Sequence, residues 1–197
     1  HDGYLKADPA RIAHWRQRLA NLGPGLKVGI SWRGAMMTEA QAKVNTRLDQ
    51  WEGIFRVPGV MFINLFYGEC REELEQAERQ FGVHIHRWDD LDLKNDLDEV
   101  AALTMALDLV ISSVSAVAEM AGALGKSVWE ISLHHFDWMN MGTDYMPWHP
   151  SMRLFYRDRN EDWTRVIDTV TQELWQIAGT ASWETSEPRF PSQIPPV

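Results

Sequence analysis

DLVISSVSAVAEMAGALGKSVW, residues 108–129, is the stretch whose reading decides the fold. Asp108 to Ser112 is apolar enough for a buried strand. Ser113 to Ser115 is a small-residue turn, Ala116 to Leu124 a closely packing helix, and Gly125 a stop before the next strand. A strand that enters a helix through a serine-rich turn leaves the first helical N–H groups and the positive end of the helix dipole facing outward, which suits an anion such as a nucleotide phosphate.

Outward from this unit, strands and helices alternate. Residues 8–22, DPARIAHWRQRLANL, predict a helix with Asp8 as cap, Pro9 in the first position and an apolar stripe of Ile12, Trp15, Leu19 and Leu22. KVGISW (27–32) is a first strand, and Thr46 to Phe55 a helix closed by Pro58 and Gly59. VMFINLF (60–66) is a second strand, and Glu69 to Phe81 an amphipathic helix ending at Gly82. VHIHR (83–87) is a third strand, and Leu97 to Leu107 a further helix. After the fourth strand and its helix come a fifth strand over Ser127 to Ser132 and an irregular aromatic stretch from Leu133 to Pro150. A short sixth strand follows over Met152 to Tyr156, then a last helix over Asp162 to Ile177. This alternation predicts an α/β fold: a doubly wound, mostly parallel Rossmann-like sheet of six strands in the order 3-2-1-4-5-6. The expected organisation is a leading helix and linker over 1–26, the sheet domain over 27–179 and a Pro-rich, extended or disordered tail over 180–197.

Composition narrows the function. A chain of 197 residues with 45% hydrophobic residues supports one domain with a real core. The net charge of −9, with 19 Lys and Arg scattered rather than clustered, argues against nucleic acid as a partner. No run of about 18 apolar residues predicts a membrane span. The start, HDGYLKADPARIAHW, is polar and carries no signal-peptide pattern. The single cysteine, Cys70, excludes an internal disulfide framework, and a cytoplasmic setting is expected. The ten tryptophans read as core and helix-face packing.

In a doubly wound sheet, ligands sit at the carboxyl ends of the strands, at the switch between strands 1 and 4. That rule selects Ser31, Trp32, Arg33 and Gly34 after strand 1, and Ser113, Ser115 and Ala116 after strand 4. Arg33 offers a fork of donors for a phosphate, or is a surface cation paired with an acid. Ser113 and Ser115 are ligand hydroxyls, or a turn residue and a helix cap. Glu119, four residues beyond Ser115 on one helix face, is a residue placed by the dipole or a partner for sugar hydroxyls. Tyr67 after strand 2, with Asp89 and Leu91 after strand 3, could hold a base by stacking and hydrogen bonds. Asp137 and Trp138 could grip a sugar or plug a loop. His134, His135 and His149 lack metal-ligand spacing, so no metal is expected. The absence of G-x-G-x-x-G, G-x-S-x-G and a P-loop argues against a dinucleotide oxidoreductase, an α/β-hydrolase and a P-loop NTPase. The acids Glu69, Glu72 and Glu73 around Cys70 disfavour a thiolate.

Six segments carry a resemblance: YLKADPARIAHWRQRL, GLKVGISWRG, INLFYG, WDDLDLKNDLDEVAALTMALDLVIS, AVAEMAGALGKSVW and PWHPSMRLFYRDRNEDW. Together they cover nearly all of residues 4–178. The chain resembles the C-terminal half of GT-B glycosyltransferases, in the form that follows tetratricopeptide repeats in bacterial proteins. More distantly it is similar to ADP-heptose:lipopolysaccharide heptosyltransferases and O-GlcNAc-transferase-like proteins. The resemblance implies a nucleotide-sugar donor bound without metal, with its diphosphate between the strand-1 and strand-4 turns. It also implies a catalytic base in an N-terminal domain that this chain does not contain, so no catalytic residue is expected here. The alternative is a degenerate pseudo-glycosyltransferase or interaction module attached to tetratricopeptide repeats. Many members read V-D-T/N-x-x-x-H-x-A-G-A-L-G in the fourth turn, with the His expected to help hold the donor phosphates. Here Val114 replaces the Asp and Glu119 the His. A carboxylate about 4 Å from a phosphate charge costs about 4 kcal/mol at an effective dielectric near 20.

Overall fold

The computed structural model describes residues 3–34, 45–133, 141, 143, 145–158 and 160–180. Asp8 caps α1 (Pro9–Ala20) by accepting from the Arg11 amide at 2.9 Å. β1 (Leu26–Ser31) follows. A 3₁₀ turn (Leu48–Trp51) leads into α2 (Glu52–Phe55), then β2 (Val60–Asn64), α3 (Arg71–Phe81), β3 (Ile85–His86) and α4 (Leu97–Ala106). β4 (Leu109–Ser113), α5 (Ala116–Ala123), β5 (Val128–Leu133), β6 (Tyr145–Met146), β7 (His149–Arg157) and α6 (Thr164–Thr180) complete the order.

The strands form one sheet in the order β3-β2-β1-β4-β5-β7-β6. All neighbours are parallel except β6, which runs antiparallel to β7 at the edge. The expected doubly wound α/β sheet is therefore present, with the switch between β1 and β4 as anticipated. The sixth strand of the sequence reading is β7. It begins at His149 rather than Met152, and the two-residue β6, too short to show any periodicity, lies outside it. The expected helix over Thr46 to Phe55 is also corrected. Thr46 stays out of the helix because its hydroxyl donates to the Trp32 carbonyl at 2.6 Å and accepts from the Trp51 indole at 2.9 Å. The segment becomes a 3₁₀ turn and one α turn instead.

Alternation along the parallel strands sends side chains into two layers. Val28, Ile30, Phe62, Ile85, Ile111, Ile131 and Phe155 pack against the 3₁₀ turn, α2, α3 and α6. Ile63, Val110, Val128 and Met152 pack against α1, α4 and α5, through Trp15, Leu103, Val117 and Ala121 among others. The second layer is close: a Cβ on Gly29 of β1 would meet Leu65 and Leu107 side chains at 2.5 and 2.7 Å. The aromatic-rich core accounts for many of the tryptophans, with Trp15, Trp32 and Trp51 each among the largest fully buried side chains. Among the described residues, no helix is long and apolar enough to cross a membrane.

Candidate functional site

β1 and β4 pair with Ser31 opposite Ser112, so the two hydroxyls lie side by side on the α5 face at the carboxyl end of the sheet. Ser112 Oγ lies 2.9 Å from Ser115 Oγ and donates to the Ser113 carbonyl at 2.7 Å. Ser115, in extended backbone, caps α5 by accepting from the Ala118 amide at 3.4 Å, while Glu119 N–H closes the first helical bond onto the Ser115 carbonyl. The amides of Ala116 and Val117 therefore precede the intrahelical ladder, at the positive end of the helix. Ser31 Oγ is buried there without a hydrogen-bond partner. A line of three hydroxyls, one of them unspent, thus runs beneath a helix N-terminus.

The other residues of the strand-1 turn are placed differently from the expectation. Trp32 is fully buried in the opposite layer, tilted against Phe66 at 5.0 Å, and its indole donates to Glu73 at 2.7 Å. It offers a ligand its backbone only, because strand parity sends its ring away from α5. Arg33 follows it. Its guanidinium is ion-paired with Glu73, donates to the Glu69 carbonyl at 3.1 Å and lies 4.2 Å from the Phe66 ring centroid. Of the two sequence readings, the paired cation is the one the structure presents. Arg33 lines a separate cavity of 370 Å³ with Thr46, Leu48 and Ala77, under α3. Among the described residues, nothing lies within 4 Å of a Cβ built on Gly34, whose amide donates to Asn45 Oδ1 at 3.4 Å.

Ser113 faces the same way as Trp32. Its hydroxyl is fully buried and donates to the Trp32 carbonyl at 2.6 Å, with Thr46 Oγ1 3.3 Å away. It clamps the β1 and β4 turns together, on the sheet face opposite Ser112. Ser112 was missed in sequence because it reads as the last strand residue. Its parity with Ser31 would have revealed it once the order of β1 and β4 was accepted.

At the ends of β2 and β3, Tyr67, Asp89 and Leu91 line one open cavity of 530 Å³ together with Asn64, Asp92 and Lys94. Tyr67 stacks on Phe66 at 5.9 Å. Lys94 brings a cation to this wall that the motif reading did not single out. The Cys70 thiol, on the same cavity, is pushed up by burial and by Glu73 beside it. Asp137 and Trp138 lie outside the described residues, as do His134, His135 and the tail beyond residue 180.

Glu119 does not stand over the helix N-terminus. His149 Nε2, on β7, donates to its Oε2 at 2.8 Å. His149 is buried and stacked on Tyr4, with ring centroids 5.9 Å apart. It reaches α5 because Gly122 has no side chain: a Cβ there would lie 2.6 Å from the His149 ring. Beneath α5, Glu130 of β5 is buried with Oε2 unpaired. Burial, and then the Glu119 charge, push its carboxyl up from an ordinary 4.5 to about 8. At neutral pH it is mostly protonated, an uncharged acid beneath α5.

This fold recurs in glycosyltransferases. The E. coli ADP-heptose lipopolysaccharide heptosyltransferase II superposes with a TM-score of 0.55 at 11% identity, over 88% of this chain and 54% of that one. A family 9 glycosyl transferase from Veillonella parvula gives 0.53 at 12% identity, over 79% and 42%. These likenesses show the fold, a Rossmann-like α/β domain of the kind found in glycosyltransferases. In sequence, the chain is similar to Protein FlbA of Caulobacter vibrioides, 38% identical over 179 residues; the match takes in 91% of this chain and 30% of FlbA. The chain thus spans under a third of the length of that relative. No family model matches.

Proposed function

We propose that the crevice between the β1 and β4 turns binds the diphosphate of a nucleotide-sugar, as the donor half of a metal-independent GT-B glycosyltransferase-like protein. The observation that carries this reading is Ser31 Oγ: buried, unpartnered, and aligned with Ser112 and Ser115 beneath the α5 N-terminus. An isolated buried hydroxyl costs free energy unless something bonds to it, and a phosphate oxygen is an acceptor it can serve. The Ala116 and Val117 amides add two donors and the helix dipole adds favourable potential. Tyr67 and Leu91 supply faces for a base, and Asp89 an acceptor for its amino or ribose groups. The acceptor substrate and the catalytic base belong, in this reading, to another part of a longer cytoplasmic protein, one that includes tetratricopeptide repeats.

A second reading has a specific observation in its favour. The strand-1 cation is spent, since Arg33 is held by Glu73, and Val114 stands half-exposed where a carboxylate is usual in the resembling family. A domain that keeps the fold but binds no donor would serve as an interaction module.

Calorimetric titration of the chain with ADP, UDP and GDP separates the two. Saturable binding that weakens about tenfold in Ser31→Val and in Tyr67→Ala supports the donor site. No heat with any of the three at millimolar concentration leaves the interaction module.

A further inference from the structure

Glu119 is the residue that should close the crevice to anions. It occupies the fourth position of α5, its side chain leans toward the helix N-terminus as helical side chains do, and it shares a face with Ser115. Yet its carboxylate is drawn sideways, to a histidine on β7 that is two strands away from β4.

We propose that His149 is a positioning residue for this site: it tethers Glu119 against β7 and so keeps the carboxylate off the first turn of α5, leaving the hydroxyl-lined N-terminus open to a diphosphate. The inference rests on the reading of the crevice as a phosphate site. Three features build the tether. Gly122 admits the imidazole against the helix, Tyr4 covers its outer face, and the amide of Leu5 donates to the Ala123 carbonyl at 3.0 Å, fixing the covering segment to the end of α5. His149 is almost wholly buried whereas Glu119 is 44% exposed, so the histidine is the fixed member and the carboxylate the movable one. Among the described residues, His149 is the side chain that bonds the Glu119 carboxylate and holds it aside.

Titration with inorganic pyrophosphate tests this in the wild type, Glu119→Gln, His149→Leu and the double variant. The wild type and Glu119→Gln are expected to bind alike, because the carboxylate is already withdrawn. His149→Leu should bind about tenfold more weakly or worse, and Glu119→Gln in that background should restore affinity. A purely structural role for His149 would lower Tm in both His149 variants without a difference in pyrophosphate affinity that Glu119→Gln repairs, and would overturn the proposal. So would tighter binding by Glu119→Gln alone, which needs no change at the buried histidine. Binding by Glu119→Gln but not by the wild type overturns the tether alone. Binding by neither overturns the phosphate site itself.

Discussion

The guanidinium of Arg33 rests on the carboxylate of Glu73, and the same carboxylate receives the indole N–H of Trp32. Two consecutive residues of the β1 turn are thereby anchored to α3. Arg33→Ala should leave pyrophosphate affinity within about twofold while lowering stability by about 1 kcal/mol, since Glu73 loses its charged partner but is itself 40% exposed and stays solvated. Arg33→Lys should recover only part, because an ammonium cannot reproduce the fork that spans Glu73 and the Glu69 carbonyl. Calorimetry and urea denaturation check the two halves separately.

Ser115 has two tasks that substitution can separate. Ser115→Ala should cost about 1 kcal/mol through loss of the cap, and should weaken pyrophosphate binding as well. Ser115→Asp should restore the cap and the stability yet abolish binding, because it places a charge among the crevice hydroxyls. Equal pyrophosphate affinity in Ser115→Asp and the wild type would move the anion site elsewhere.

Glu130 makes the chain's stability depend on pH. Its carboxyl is raised to about 8 when folded, so the folded state holds a proton that the unfolded state releases near 4.5. The associated stability is full below about 4.5, declines as pH rises, and is lost as pH passes through about 8; the slope approaches about 1.4 kcal/mol per pH unit. Glu130→Gln should remove this decline. Urea unfolding at pH 5, 6.5 and 8 should show the variant gaining on the wild type by roughly 3 kcal/mol across the range.

Gly122 is where α5 meets β7. Gly122→Ala gains helix propensity of about 1 kcal/mol, yet its methyl would lie 2.6 Å from the His149 ring carbon and 2.8 Å from its Cβ, neither free to swing away. A net loss of about 1–3 kcal/mol is expected, read as a lower Tm. Gly34→Ala, whose methyl would meet none of the described residues within 4 Å, should change stability far less.

The sheet was legible in sequence because local pattern and chain order suffice for it. Asp8 with Pro9 marks the start of α1, Gly82 in left-handed backbone the end of α3, and the apolar runs of β1, β2, β4 and β5 are those of strands covered on both faces. The cap role of Ser115 follows from the same local chemistry. β6 was not legible, since two residues carry no period. The break at Thr46 was not either, since it depends on the Trp32 carbonyl fourteen residues earlier.

For the site, the sequence by itself determined which turns meet, because parallel order fixes the switch between β1 and β4. It could not determine where the side chains of those turns point. Strand parity sends Trp32 and Ser113 to one face and Ser31 and Ser112 to the other, and residues 40 and 30 positions away, Glu73 and His149, decide the direction of Arg33 and Glu119. A charge at short range follows its nearest opposite partner, and in this chain only the packing of α3 against β1 and of β7 against α5 brings those partners within reach.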